Sequence, residues 1–266
     1  MKPTDDRHLE VELLSHPGLA GRNNEDRCAI GSYAGPAGKP VLFAVLSDGI
    51  GGHAAGEVAA QIAVDQILRR VAQSDGWDPR RIMKAAIRSA SRAIVSKAGG
   101  RSEWAGMGAT CACVWIAGRR LYTAHVGDSR IYLLRSQQIH RLTVDHTWVQ
   151  EAIEIGILEP GQASQIPNSH VLRRHLGSPQ PPAVDLRLLT PLDADHAGQR
   201  QAQGLKLMDR DIVLVCSDGL TDDVADQEIL DTVLAAPSLD GAARGLVELA
   251  NARGGYDNIT VILIAL

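Results

Sequence analysis

The sequence predicts an α+β fold: two largely antiparallel β-sheets packed as a central β-sandwich, flanked by pairs of α-helices in α-β-β-α layers, with a flap segment. Three observations predict it. Short apolar runs joined by tight turns recur through the chain. A pair of long amphipathic helical segments interrupts them early, and a second pair comes near the C-terminal end. Two helices of that length cover one face of a sheet, so two pairs cover the outer faces of a sandwich.

Taken in order, residues 9–15 alternate in polarity and read as a strand, as do 27–33 and 39–46. Apolar spacing turns helical over 56–71, where Val58, Ala59, Ile62, Ala63, Ile67 and Leu68 form one stripe. Ser74-Asp75-Gly76 breaks that pattern, and Pro79 opens a second helix with Ile82, Ala86, Ile87, Ala90 and Ile94 on its buried side. Strands return at 109–116, 120–126, 129–135 and 138–142. The turns between them, Ala117-Gly118-Arg119, Gly127-Asp128 and Ser136-Gln137, are tight enough for a meander, with Asp128 at a hairpin tip. Residues 146–155 read as a helix. From 156 to 182 the chain is rich in Pro, Gly, Gln and Asn without a period, which marks the heart of a flap at about 145–182. A strand at 183–189, a polar stretch at 193–204 and a strand at 211–216 follow. Helices at 226–235 and 239–252 and a last strand at 258–266 complete the pattern. Residues 1–8 are polar and read as a tail, leaving 9–266 as a single domain without repeats or a linker.

Composition narrows the function classes. Hydrophobic residues make up 45% of the 266 and charged ones 22%, as in soluble globular domains, but aromatics only 3%. Few aromatics and a net charge of −4 argue against nucleic acid, which needs stacking platforms and a basic footprint. A metal-dependent nuclease therefore fits poorly. No apolar run nears the roughly 18 residues that span a bilayer, and nothing near Met1 reads as a signal segment. The cysteines, Cys28, Cys111, Cys113 and Cys216, sit mostly in strand-like context and read as reduced core residues. A cytoplasmic monomer is the expectation.

Aspartates carry the chemistry. Two apolar strands end on the same tripeptide, Ser47-Asp48-Gly49 and Ser217-Asp218-Gly219. Asp26, Asp128 and Asp257 share the setting, each within two residues of a Gly or Asn at the end or start of a strand. Asp-Gly is also an ordinary turn dipeptide, and any one of these is compatible with a plain turn. Turns do not require a carboxylate every time, however, and carboxylates meeting at one rim repel unless a cation neutralises them. Oxygen-only donors favour Mg²⁺ or Mn²⁺ over Zn²⁺. A glycine lets a backbone carbonyl approach the ion as well.

Asn24-Glu25-Asp26, "DGIGGHAAGE" at 48–57, "GAT" at 108–110, "VGDSRIYLLR" at 126–135, "LTVDHT" at 142–147, "SDGLTDDV" at 217–224 and "YDNITVIL" at 256–263 occur in that order. The ordered set resembles the metal-dependent protein Ser/Thr phosphatases (the PPM, or protein phosphatase 2C-like, family) in their compact soluble bacterial form. The resemblance implies hydrolysis of phosphoserine and phosphothreonine at a centre of two Mg²⁺ or Mn²⁺ ions, with phosphoproteins, a Ser/Thr kinase among them, as partners. It implies that Asp48 bridges the ions, that Asp218 and Asp257 complete the first, and that the Gly49 carbonyl serves the second. Glu25 and Asp26 would hold the ions' waters, and Asp128 with Asp218 matches a third metal position of bacterial members. Cys216 and Ser217 are not nucleophiles on this reading. Thr110, Ser129, Arg130 and His146 fall on structural positions, and Asn258 orients the Asp257 loop.

Two positions depart from the pattern. The family's phosphate-binding arginine, five residues before the Asn-Glu-Asp aspartate, is Gly21 here, and Arg22 follows it. Either Arg22 takes over the phosphate or another cation does. Ile50 stands where many eukaryotic members carry His, and His53 lies three residues on. His53 then protonates the leaving oxygen, orients an ion's water or caps the next helix. A catalytically weak or inactive phosphatase-like binding module is the alternative, which the intact aspartate set argues against. A regulatory phosphatase tuned to one switch-type partner is a narrower version of the enzyme.

Overall fold

Apolar residues at successive positions, rather than alternate ones, mark strands buried on both faces. The run at 41–46 shows what this does in the computed structural model, which describes residues 1–5, 8–50, 54–99, 102–159, 170–189 and 203–266. Val41, Phe43 and Val45 face one hydrophobic core, and Leu42, Ala44 and Leu46 face another. Consecutive side chains of a strand point to opposite faces, so one apolar run serves two layers.

The elements are β1 (Lys2–Pro3), β2 (Glu10–His16), β3 (Arg27–Ala34), β4 (Pro40–Ser47), β5 (Gly49–Ile50), α1 (Ala54–Ala72), α2 (Pro79–Ala98), β6 (Gly108–Ala109), β7 (Cys111–Ala117), β8 (Arg120–Val126), β9 (Arg130–Arg135), β10 (Gln138–Arg141), α3 (Trp148–Glu154), β11 (Leu205–Lys206), β12 (Ile212–Cys216), α4 (Asp218–Thr221), α5 (Asp226–Ala235), α6 (Leu239–Ala252) and β13 (Ile259–Ala265). One sheet runs β1-β3-β4-β7-β8-β11 and the second β10-β9-β12-β13-β2, with every pairing antiparallel. The first sheet packs on α1 and α2, with Trp115 and Phe43 in edge-to-face contact at 6.0 Å. The second packs on α5 and α6. Leu42, Leu46, Val114, Leu133, Val215 and Ile262 meet between the sheets. The expected α+β sandwich with flanking helix pairs is the fold observed.

Helix boundaries follow their caps. Asp78 accepts the Arg81 amide at 3.1 Å with Pro79 in the first turn of α2. Thr147 caps α3 by accepting from the Gln150 amide, so that helix starts at Trp148 rather than 146. Ser238 caps α6 in the same way. All four cysteines are free. Among the described residues no helix is long and apolar enough to cross a membrane.

Four expectations change. Residues 127–129 are not a hairpin tip. β8 pairs with β7 and β11 in one sheet and β9 with β10 and β12 in the other, so this connection is a corner between sheets. Gly127, at φ 107°, makes the turn. Residues 183–189 form no strand. Asp185 and Leu188 make isolated bridges, Asp185 to His125, and the Asp185 carboxylate accepts the Arg187 amide at 2.8 Å, a local turn that competes with a ladder. Part of the supposed tail is folded, since Lys2 and Pro3 pair with Ala34 and Tyr33. The two-residue strands β5, β6 and β11 were not anticipated. Of the flap, residues 160–169 lie outside the described residues. So does most of the polar stretch at 193–204, up to residue 202.

Candidate active site

Strand register gathers the aspartates. Arg27 pairs with Ser47, so the start of β3 lies beside the end of β4. Cys216 pairs with both Val261 and Arg130, which sets the end of β12 between the starts of β13 and β9. Asp26, Asp48, Asp218 and Asp257 each flank one of those ends, and the corner between the sheets brings in Asp128. A cavity of about 880 Å³ opens there, lined by Glu25, Asp48, Gly49, Asp128, Asp218 and Asp257 among others. Asp26 is 2% exposed and interacts electrostatically with Asp218 and Asp257. Five of the sequence-predicted ligands therefore line one cavity wall set, with Gly49 beside them.

The repeated Ser-Asp-Gly has a distinct use for each residue. Both serines are fully buried. The Ser217 hydroxyl donates to Asp26 Oδ2 at 2.8 Å and accepts from the Thr260 amide at 2.9 Å. Ser47 donates to the Thr110 carbonyl at 2.7 Å. Neither is free to attack a substrate. Cys216 is likewise unsuited, because burial pushes its thiol up to about 12. The glycines are steric necessities: a Cβ on Gly49 would collide with the Gly56 and Glu25 carbonyls, and one on Gly219 with that of Asn258. Backbone and carboxylate can thus crowd one point.

Residues placed as structural hold the acids still. Thr110 Oγ1 accepts the Asp48 amide at 2.9 Å, the Thr110 amide donates to the Asp48 carbonyl, and Thr110 Oγ1 lies 2.7 Å from Ser129 Oγ. One threonine therefore ties Asp48 to the corner that carries Asp128. His146 accepts the Gly127 amide on Nδ1 and returns its own amide to the Gly127 carbonyl, both at 3.0 Å. Arg130 pairs with Asp145 at 2.9 Å. Asn258 accepts the Glu25 amide at 2.7 Å and donates to the Pro17 and Asn23 carbonyls. Asn258→Ala should cost about 2–3 kcal/mol, because three backbone groups lose their partner in a half-buried loop. It should also lower kcat/KM by tenfold or more through Glu25. Chemical denaturation of the Mn²⁺-loaded protein measures the first effect, and an unchanged midpoint would mean the loop is held by other contacts.

Electrostatics separate these carboxylates from the chain's other buried acids. Burial and neighbouring acids raise Asp26 to about 7, and raise Asp48, Asp128 and Asp218 above the usual carboxylate range. Asp48 feels Asp26, Asp218 and Asp128 together. Asp145 is also buried, yet Arg130 and Arg141 hold it low. Asp211 is buried against Arg135. Among the described residues no Lys or Arg forms a salt bridge with Asp26, Asp48, Asp128 or Asp218. Asp26 Oδ1 and Asp218 Oδ1 are buried without a hydrogen-bond partner. Orphaned anionic oxygens, an all-oxygen donor set and a polar cavity suit hard divalent cations.

A second cluster, away from the aspartates, also gathers potential metal ligands. His125, His146 and Asp185 bring potential ligand atoms within 4.8 Å of one another, with the rings stacked at 4.7 Å. The Gly127 amide must donate to His146 Nδ1, so the neutral ring carries its proton on Nε2, which faces Asp185 at 3.4 Å. His125 Nε2 is engaged with the Val144 carbonyl, and Asp185 is paired with Arg187. His125 Nδ1, with the ring proton on Nε2, keeps its lone pair and is buried without a partner.

Sequence reasoning missed two residues at the site. Asp222 caps the end of α4, one turn after Asp218, and burial with Asp218 nearby raises it to about 8. Reading Asp218 as a helix start would have found it. His170 lines the cavity and lies 3.4 Å from Asp222. It sits in an aperiodic segment that gives no signal. Arg22 lines the cavity as well and is exposed, beside Gly21 at φ 70°. His53 lies outside the described residues.

Residues 19–248 match the family profile described as "Protein phosphatase 2C". Serine/threonine protein phosphatase PstP of Mycobacterium tuberculosis is 35% identical over 256 residues, 96% of this chain. The chain spans 44% of that relative's length. The structure of the S. agalactiae serine/threonine phosphatase superposes with a TM-score of 0.84 at 32% identity, covering 97% of this chain and all of that one. The catalytic domain of PstP in complex with two manganese ions superposes with a TM-score of 0.75 at 33% identity, covering 97% of each chain.

Proposed function

The chain belongs to the metal-dependent protein phosphatase 2C family, and on that premise we propose that it hydrolyses phosphoserine and phosphothreonine monoesters of proteins at the aspartate-lined cavity. The observation that carries this reading is the set of buried aspartates, without Lys or Arg partners among the described residues, around one cavity. On this reading Asp48 would serve both of two Mg²⁺ or Mn²⁺ ions, Asp218 and Asp257 would complete the donors of one, and the Gly49 carbonyl would serve the other. Glu25 and Asp26 would hold the ions' waters, and Asp128 with Asp218 would hold a third ion. Such ions, when bound, offset phosphoryl charge and supply a water acidic enough to attack, for one of the slowest uncatalysed hydrolyses known.

The chain's own contribution is to fix donors in place and to keep side-chain nucleophiles out. Ser217 and Cys216 are closed off as described, which leaves water as the attacking group. His53 either donates a proton to the leaving oxygen or orients a water. Residues 9–266 act as one phosphatase domain, with residues at about 145–182 as a flap; Leu172 and His170 from that segment reach the cavity wall. The partners are phosphorylated proteins, including a Ser/Thr kinase and its substrates, and the protein acts as a cytoplasmic monomer. Release of phosphate from a phosphopeptide, with Mn²⁺ present or chelated, tests the reading, and an inactive binding module would show no turnover in either condition.

Arg22 takes the role of phosphate ligand in this reading, because it lines the cavity where the family's usual arginine is replaced by Gly21. A guanidinium binds two phosphoryl oxygens at once. Arg22→Ala should raise KM for a phosphopeptide about tenfold, equivalent to ~1.4 kcal/mol of lost binding, with kcat changed less than threefold. Equal kinetics for variant and parent would remove Arg22 from the site. Gly21→Arg should lower KM, but a side chain in the left-handed region costs about 1 kcal/mol, so it should also unfold more easily.

A further inference from the structure

Charge is segregated along this chain. α2 holds six of its 27 Lys and Arg residues and none of its 31 Asp and Glu residues. Arg80 and Arg81 lie in the first turn, where the helix dipole disfavours cations, so helix stability does not explain them. Arg81, Lys84, Arg88 and Arg92 follow at steps of three and four and make one stripe. Met83, Ala86, Ile87, Ala90 and Ile94 take the buried side.

The stripe lines a groove. A cavity of about 560 Å³ is bounded by Arg80, Arg81, Lys84, Arg88, Arg92 and Leu186, with Asp78, the α2 cap that also pairs with Arg80, as its one acid. A second, of about 500 Å³, shares Arg81 and Arg92 and extends to Arg70 and the exposed Trp77. The more buried arginines among the described residues are spoken for: Arg27, Arg130, Arg135, Arg187 and Arg253 all pair with acids. Among the described residues Arg81, Lys84, Arg88 and Arg92 form no salt bridge, and Arg88 Nε is buried without a hydrogen-bond partner. Like charges in a row repel and gain only when an anion joins them. The first cavity shares no lining residue with the aspartate cavity.

We propose that this groove docks an acidic, phosphorylated segment of the phosphoprotein substrate and holds a second phosphate away from the one being hydrolysed. The inference rests on the phosphatase reading for its choice of ligand. Arg81 to Arg92 spans roughly 16 Å at the rise of an α-helix, the length of about five extended residues. Three arginines in that span suit phosphate, which they bind with two hydrogen bonds each. A longer polyanion such as nucleic acid fits less well, because Asp75 adds an acid at the Trp77 end of the groove and Asp78 lines both cavities.

The test uses a labelled ten-residue peptide with two phosphoserines four residues apart, and anisotropy measured on the EDTA-treated protein, where hydrolysis is silent. Arg81→Glu with Arg92→Glu, both at exposed positions, should weaken binding tenfold or more. Arg81→Lys with Arg92→Lys should weaken it less than threefold. Arg88→Gln gives a second, charge-neutral variant and should weaken it about threefold. With Mn²⁺ present, the Glu variant should raise KM for the doubly phosphorylated peptide at least fivefold, and leave p-nitrophenyl phosphate hydrolysis within twofold. Unchanged peptide affinity in both the Glu and the Gln variants would overturn the proposal. So would tighter binding of a single-stranded oligonucleotide of equal charge, which would make the groove a nucleic-acid surface. Absence of p-nitrophenyl phosphate hydrolysis in the parent protein would count against the phosphatase reading instead, and would leave the peptide affinities readable.

Discussion

Asp48→Asn is expected to lower phosphopeptide turnover by a factor of 10³ or more while the fold, followed by circular dichroism, stays intact. Asp48 lies at the centre of the acidic group, influenced by Asp26, Asp218 and Asp128 at once. Removing one preorganised electrostatic group from an active site costs on the order of 10²–10³ in kcat, and this one would serve two ions. Its backbone contacts, to Thr110 in both directions, do not involve the carboxylate and survive the change. Exhaustive chelation of the parent protein should reach the same floor, and added Mn²⁺ should restore activity. Turnover that persists in EDTA, or an Asp48→Asn variant with a tenth of normal activity, would sink a metal-dependent mechanism centred on this residue.

How far the site was legible in the sequence follows from what each residue's neighbours reveal. Asp48 and Asp218 could be found because a buried strand has no ordinary reason to end on an unpaired carboxylate, and the glycine after each announces close backbone approach. Asp26 and Asp257 were found by the same logic at strand starts. The sandwich was legible because both faces of the central strands are covered, which writes continuous apolar runs such as 41–46 and 212–216 into the chain. The corner at Gly127-Asp128-Ser129 was misread as a hairpin tip, since a tight turn between two apolar runs looks alike whether the strands pair with each other or with different sheets. Residues 183–189 were misread for a related reason: apolar alternation cannot show that Asp185 turns its carboxylate onto the Arg187 amide. Asp222 was hidden because α4 is a single turn. His170 was beyond reach, because only tertiary structure carries its segment to Asp222.

The metal-free protein should lose stability as pH rises from 5 to 8.5, the reverse of ordinary acid denaturation. Asp26 has an ordinary value of 3.8 in the unfolded chain and about 7 in the fold, raised by burial and by Asp218 and Asp257. A carboxyl raised in this way contributes fully to stability below the unfolded value, and that contribution drains as pH climbs through the folded one. From pH 5 up to about 7 that loss is on the order of 3 kcal/mol. Asp222, raised to about 8, extends the same loss upward in pH. A domain of this size shifts its Tm by about 2–4 °C per kcal/mol, so a fall near 10 °C is the expected scale. Asp26→Asn should flatten the slope, because an amide keeps an acceptor for the Ser217 hydroxyl and carries no charge. Saturating Mn²⁺ should flatten or invert it, since cations bind the ionised carboxylates and stabilise the fold by mass action. Differential scanning fluorimetry across that range, with EDTA and with Mn²⁺, reads both slopes. A chelated protein whose Tm rises or holds level from pH 5 to 8.5 would mean that the acids are neutralised from within the chain, and the cavity would then have no electrostatic need for a cation.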